Sequence, residues 1–188
     1  PYTYILPKPL LPLGSRSILE INIRQLVSAG IDSVIISVGY LGELIENVIG
    51  NGEKYGITIN YSYEDEPLGT VGGLSLIHEL LEENFIVMNG DILHNVKFLS
   101  LIEKHTVSEA LVTIAMYKQL HQVRLGVLET EGDTIVRYIE KPTKEYSVSL
   151  GIYCISKTIL PKYIKKDERL DFPDLINKLI QDRIKISS

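Results

Sequence analysis

Lys8 stands between Pro7 and Pro9, the one charge in the first twelve residues, Pro1 to Pro12. Proline fixes φ, removes a backbone donor and pushes its predecessor toward extended geometry, so the run predicts a stiff extended loop rather than a helix. A cation held with little loop entropy suits an anionic ligand. Taken alone, the segment reads first as a proline-rich surface loop with a solvated lysine. Asn89-Gly90-Asp91 is different in kind, because it follows the apolar run Phe85 to Met88. A carboxylate at the end of a buried strand can offer oxygen to a hard cation such as Mg²⁺, which takes one or two carboxylates and completes its shell with phosphate oxygens. The bland alternative is a turn aspartate that caps the following helix.

Two further clusters fall at the ends of expected strands. The turn Glu64 to Gly73 includes Pro67, Gly69 and Thr70. Its glycines allow close backbone approach to a flat ligand, and a helix beginning there offers free N–H groups. Alternatively, its acidic residues only favour the helix dipole. Glu140-Lys141-Pro142 repeats the lysine-before-proline pattern, and alone it is weak, because exposed Glu–Lys pairs are commonplace. The histidines, His78, His94, His105 and His121, show no ligand spacing and read as surface or helix residues. Cys154 lies in the apolar run Gly151 to Ile155 without an internal disulfide partner, so it reads as a buried structural thiol in a cytoplasmic protein.

These groups must be held by a framework of 188 residues, 45% apolar and 23% charged, which fits one soluble globular domain. A net charge of −5 without a basic cluster argues against a nucleic-acid polymer as partner but not against a nucleotide. No apolar run approaches the roughly 20 residues of a membrane span. Periodicity predicts helices over Ser17–Ala29, Leu41–Ile49, Thr70–Leu81 and Val96–His105, with another capped by Asp171 and carrying Pro173 in its first turn. Strands are expected at 33–38, where β-branched residues suit burial on both faces, and at 57–61, 85–88, 111–117 and 150–155. Segments 126–129 and 134–139 flank the turn Glu131-Gly132-Asp133 and read as a hairpin. Strands and helices alternating four times with short connections predict a Rossmann-like α/β fold. Its sheet should be mixed but mainly parallel, with helices on both faces and some antiparallel additions. Ligands of such sheets bind outside the carboxyl ends of the strands, where all these clusters fall.

In order along the chain, these segments resemble the sugar-phosphate nucleotidyltransferase family. The matching pieces are Pro1-x-Thr3, Leu6 to Pro12, Ile35 to Leu41, Glu64 to Gly73, Asn89-Gly90-Asp91, Glu140-Lys141-Pro142 and Gly151-Ile152-Tyr153. Val87 to Leu93 and Asp171 to Ile176 look most like a bacterial subgroup that makes nucleotide-linked amino sugars, often behind regulatory CBS modules. The resemblance implies the nucleotide-diphospho-sugar transferase fold and single-displacement transfer of a nucleoside monophosphate from a nucleoside triphosphate to a sugar 1-phosphate. It implies Lys8 beside the phosphates, Asp91 on Mg²⁺, and nucleotide contacts from Glu64, Pro67, Gly69, Thr70 and Gly90. It further implies sugar-phosphate contacts from Gly126, Glu140, Lys141 and Ser149. Pyrimidine-using members often carry glutamine where this chain has Glu64. Glutamate only accepts, and guanine's pairing edge offers two adjacent donors, so GTP is the expected nucleotide. Ser149-Leu150 and Leu125 depart from the family's Asn-Ala and Tyr. The family's Gly-rich loop with its arginine and its second metal-binding aspartate are not in the sequence. The expectation is therefore a single domain over 1–188, truncated at both ends and with little turnover as it stands. The alternative is a noncatalytic nucleotide- or sugar-binding relative, and a homo-oligomer is compatible with either.

Overall fold

The computed structural model describes residues 6–188; the Pro1-x-Thr3 match lies outside them. The elements are β1 (Pro12–Leu13), β2 (Arg16–Ser17), α1 (Ile18–Ser28), β3 (Ser33–Val38), α2 (Gly42–Ile49), β4 (Thr58–Tyr63), α3 (Gly69–Gly72), α4 (Leu74–Ile77), β5 (Asn84–Met88), α5 (Phe98–Ser108), β6 (Val112–Gln122), β7 (Val127–Glu131), β8 (Thr134–Ile139), β9 (Thr143–Ser156), α6 (Leu160–Tyr163), α7 (Phe172–Gln181) and β10 (Ile186–Ser187).

The result is a Rossmann-like α/β fold with a mixed sheet flanked by helices. β3 and β4 pair in parallel, and β10, β6, β9 and β5 form a four-stranded sheet in that order. β10 is parallel to β6, whereas β9 runs antiparallel to both β6 and β5. The alternation of elements predicts a mainly parallel sheet; β5 and β6 do run the same way, but antiparallel β9 is inserted between them. β9 and β5 alternate their side chains between two layers. Tyr153, Ile155, Phe85 and Val87 pack against α7 residues Phe172, Leu175 and Leu179. Ile152, Cys154, Ile86 and Met88 pack against Phe98 and Leu101 of α5 and Leu26 of α1. A third cluster joins Leu10, Leu19 and Ile23 to Val38, Ile45, Ile49 and Ile59 of the β3–β4 unit. Cys154 is buried, and burial pushes its thiol up to about 11, which suits an inert structural role.

Several local expectations are corrected. Lys8–Leu10 forms one turn of 3₁₀ helix instead of an extended loop, with Leu10 N–H donating to the Pro7 carbonyl at 2.9 Å. Proline's fixed φ suits the start of a helical turn as well as an extended segment, and here Leu10 is buried beneath it. The helix expected over Thr70–Leu81 breaks at Gly72-Gly73 into α3, α4 and a 3₁₀ turn over His78–Leu80. β3 is half-buried rather than buried on both faces, and among the described residues it pairs only with β4. His105, expected as a surface or helix residue, is a helix residue of α5 that faces the core, 3% exposed. No helix among the described residues is long and apolar enough to cross a membrane.

Candidate active site

At the carboxyl end of β5 the chain turns through Asn89, Gly90 and Asp91. Asn89 N–H donates to the Gly151 carbonyl at 3.1 Å. Gly151 lies in a bulge of β9: Ile114 pairs with Tyr153 and Met116 with Ser149, so β9 carries extra residues opposite Ala115. Gly151 has φ +71°, and a Cβ there would sit 2.8 Å from Asn89 Nδ2. Both the conformation and the close approach require glycine. Ser149 folds onto the bulge, its Oγ accepting from Gly151 N–H at 3.3 Å and facing the Tyr153 hydroxyl at 3.5 Å. From the other side, Pro9 packs on Gly90, its ring 3.7 Å from where a Cβ would stand. Lys8 and Asp91, the immediate neighbours of these two contacting residues, are both exposed. Lys8, Gly90, Asp91 and Ser149 therefore gather at one edge of the sheet.

Among the described residues, no three His, Cys, Asp or Glu side chains converge into a protein-only metal cage. Asp91 presents one exposed carboxylate at this edge, and a Mg²⁺ that brought most of its oxygens with bound phosphates would need no more than that from the protein.

The Glu64–Gly73 turn departs from expectation. Thr70 N–H donates to Asp171 Oδ1 at 2.9 Å, and the N–H groups of Val71 and Gly72 both donate to the Leu170 carbonyl. Those donors, expected free for a ligand, are already satisfied within the chain. Thr70 Oγ1 accepts in return from Phe172 N–H at 2.8 Å. Asp171 thus caps α3 rather than its own helix α7, and the Thr70 N–H holds its carboxyl below the usual range. Gly69, at φ +81°, is needed because a Cβ would lie 2.5 Å from the Leu170 carbonyl. Glu64 turns one carboxylate oxygen to Leu68 N–H at 3.0 Å and packs the other against Gly73. Pro67 is exposed beside it.

Gly126, Glu140 and Lys141 belong to the β7–β8 hairpin, whose strands form a sheet of their own. Tyr138 packs its hydroxyl against Gly126 and donates it to Glu140 Oε2 at 2.8 Å, which raises the phenol's pKa. Glu140 also lies 3.5 Å from Lys141 Nζ. Lys141 has φ +47°, a strained conformation for a residue with a side chain. Tyr138 was not singled out by the pattern of residues, and a bulge at Val136 breaks the alternation of β8 before it. Nor was Asn22, a polar residue on the apolar face of α1. A groove of about 600 Å³ lies elsewhere, between α1 and the start of α5.

Comparisons with known proteins identify the family. The model of the nucleotidyl transferase family matches residues 1–186. The chain belongs to the nucleotidyl transferase family. Within that family it is similar to mannose-1-phosphate guanyltransferase beta-A of Xenopus laevis, 35% identical over 170 residues, covering 86% of this chain and 47% of that protein. It is also similar to the D-glycero-alpha-D-manno-heptose 1-phosphate guanylyltransferase of Aneurinibacillus thermoaerophilus. There the identity is 36% over 156 residues, covering 82% of this chain and 67% of the relative. Among solved nucleotidyl transferase-like structures, HddC from Yersinia pseudotuberculosis superposes with a TM-score of 0.69 at 25% identity, covering 89% of this chain and 76% of that one. The chain spans about half the length of the mannose-1-phosphate relatives.

Proposed function

We propose that this chain forms the nucleotide- and sugar-phosphate-handling part of a sugar-1-phosphate guanylyltransferase. A phosphate oxygen of the sugar 1-phosphate attacks the α-phosphorus of GTP in line. The bond from that phosphorus to the bridging oxygen breaks, and pyrophosphate leaves with the electron pair. Two polyanions must meet, so the protein's task is positioning and fixed positive charge. Lys8 supplies an ammonium to the phosphates, and Lys141, braced by Glu140, takes the sugar phosphate. Asp91 would hold Mg²⁺, which neutralises phosphate charge. Glu64 accepts from the adjacent donors of guanine, beside Pro67, Gly69 and Thr70, while Gly90 lets the nucleotide approach the backbone. Gly126 and Ser149 border the sugar.

The observation that carries this reading is the contact of Pro9 with Gly90, which brings the loop of Lys8 against the loop of Asp91. The guanylyltransferase names of the relatives support the choice of nucleotide and a sugar 1-phosphate as acceptor. The test is pyrophosphate release by the protein bearing this chain, across nucleoside triphosphates and hexose, heptose and amino-sugar 1-phosphates. Release is expected with GTP and one of these sugars. No turnover with any pair overturns the catalytic reading, and tighter binding of UTP or dTTP than of GTP overturns the role of Glu64. A second reading, a noncatalytic nucleotide- or sugar-binding relative, is favoured by the satisfied N–H groups at Thr70 to Gly72 and the engagement of the Ser149 hydroxyl by Gly151 N–H.

A further inference from the structure

The segment that carries Asp91 is stitched to α1 by side-chain amides. Asn22 Nδ2 donates to the carbonyls of Gly90 and Ile92, at 3.3 and 3.0 Å, the two residues that flank Asp91. Gln25 Nε2, one turn further along α1, donates to the carbonyl of His94 at 3.1 Å. Carbonyls 90, 92 and 94 thus all face α1. The exposures alternate: Asp91, Leu93 and Asn95 face solvent, while Ile92, His94 and Val96 are half-buried. A carbonyl only accepts, so donors on the α1 face are what this register requires.

Asn22 is 2% exposed among Leu19, Ile23 and Leu26, and its Oδ1 has no partner among the described residues. The oxygen of Gln25 is buried without one as well. An apolar side chain at 22 would avoid that penalty, so retaining the amide calls for a use of its two donors. We propose that Asn22 and Gln25 are positioning residues that set the backbone on which Asp91 presents its carboxylate to a divalent cation. This rests on the reading of Asp91 as the cation ligand. Neither residue touches substrate; they act through the 90–94 backbone, as outer-shell groups orient metal ligands.

Two measurements test it in the protein bearing this chain. Hydrogen exchange reads the order of the segment directly. Asn22→Leu is expected to speed exchange of the hydrogen-bonded amides that bracket the segment, Asn89 on the Gly151 carbonyl and Val96 on His94 Nδ1, roughly ten-fold while leaving β5 and β9 unchanged. Mn²⁺ titration in the presence of GTP, followed by electron paramagnetic resonance, reads the hold on the ion without turnover. There Asn22→Leu should weaken retention roughly ten-fold, Gln25→Leu less, and Asp91→Asn most. Ile23→Val, which trims the same helix without touching the segment, should move neither. Unchanged exchange in Asn22→Leu overturns the proposal, and so does faster exchange with unaltered Mn²⁺ retention. An equal effect from Ile23→Val overturns it too. If Asn22→Leu fails to fold, Gln25→Leu carries the same test at the Val96 amide, which donates to His94 Nδ1. A wild-type protein that holds Mn²⁺ as described yet releases no pyrophosphate overturns only the catalytic reading.

Discussion

On one side of the Gly151 bulge, β9 carries Ile152 to Ser156, all buried; on the other, Thr143 to Ser147 are all exposed. The partner strand changes at the same place, from Val112 to Ala115 in the core to Met116 to Gln122 in solvent. Hydrogen bonding continues through both halves, so the ladder itself does not distinguish them. Burial does. Each core side chain contributes about 1.5–3 kcal/mol, whereas a cross-strand pair on a solvated ribbon contributes about 0.2–1 kcal/mol. Lys8, Gly90 and Asp91 are fastened to the first half. The candidate sugar-phosphate residues Glu140 and Lys141 stand on a self-paired hairpin whose side chains are largely exposed, among them Leu128, Ile135, Val136 and Tyr138. The same backbone pattern thus yields a firm platform where helices cover it and a pliant arm where nothing described does.

The contrast can be broken most sharply at the chemistry. Lys8→Ala and Asp91→Asn should each lower pyrophosphate release about 100–1,000-fold. Because both side chains are exposed, the melting temperature should hardly move, so a large drop in stability would contradict their placement on the platform. Next comes the bulge that divides the two halves. Gly151→Ala forces a side chain into a left-handed conformation and against Asn89, and should cost about 1–3 kcal/mol in urea unfolding.

The core half also holds a pH-dependent element. His105 bridges Thr113 Oγ1 at 2.9 Å and Asn84 Oδ1 at 3.1 Å. The Asn84 oxygen must accept, so Nε2 carries the proton and Nδ1 accepts from Thr113. Burial lowers the imidazole's pKa from its ordinary value. The unfolded chain therefore takes up a proton near pH 6.5, where the folded one does not. Stability from this group is full above that pH and lost as pH falls through it to the lowered folded value. Denaturant midpoints measured from pH 8 to 5 should show this slope, and His105→Gln should reduce it, the remainder coming from His94, whose pKa burial also lowers. The smallest effect belongs to the arm. Lys118 and Glu145 pair at 2.9 Å across the exposed ribbon, and Lys118→Ala should cost at most about 1 kcal/mol. A larger loss would mean the arm is covered.

Much of this was legible in the residues. The β-branched run 33–38 is β3, the apolar spacing from Ile18 to Val27 is α1, and Glu131-Gly132-Asp133 turns the hairpin, because local periodicity and turn chemistry decide those elements. What escaped depends on residues far apart. Asp171 looks like a cap for the helix it precedes, yet its carboxylate crosses to Thr70. Glycines 69 and 72 read as room for a ligand, but they make room for the backbone of Glu168 to Leu170. The length of β9 was hidden because its polar half, Thr143 to Ser149, gains its pairing from β6 and not from burial. In the site, Lys8, Asp91 and Lys141 stood out by type and spacing. Asn22 did not, since a polar residue on an apolar helix face explains itself only when the carbonyls above it are known.

The insertion of β9 between β5 and β6 also orders events in time. β5 leaves the ribosome about seventy residues before the strand that must pair with it. Until then only local helices, the β1–β2 and β7–β8 hairpins and the β3–β4 unit can form around it, and contacts that close so large a loop are slow. Asn89, anchored through the Gly151 carbonyl, waits for that strand as well. The acidic turn beside Lys8 is thus assembled late, and a chain interrupted before residue 151 would have the ingredients of the candidate site without the strand that aligns them.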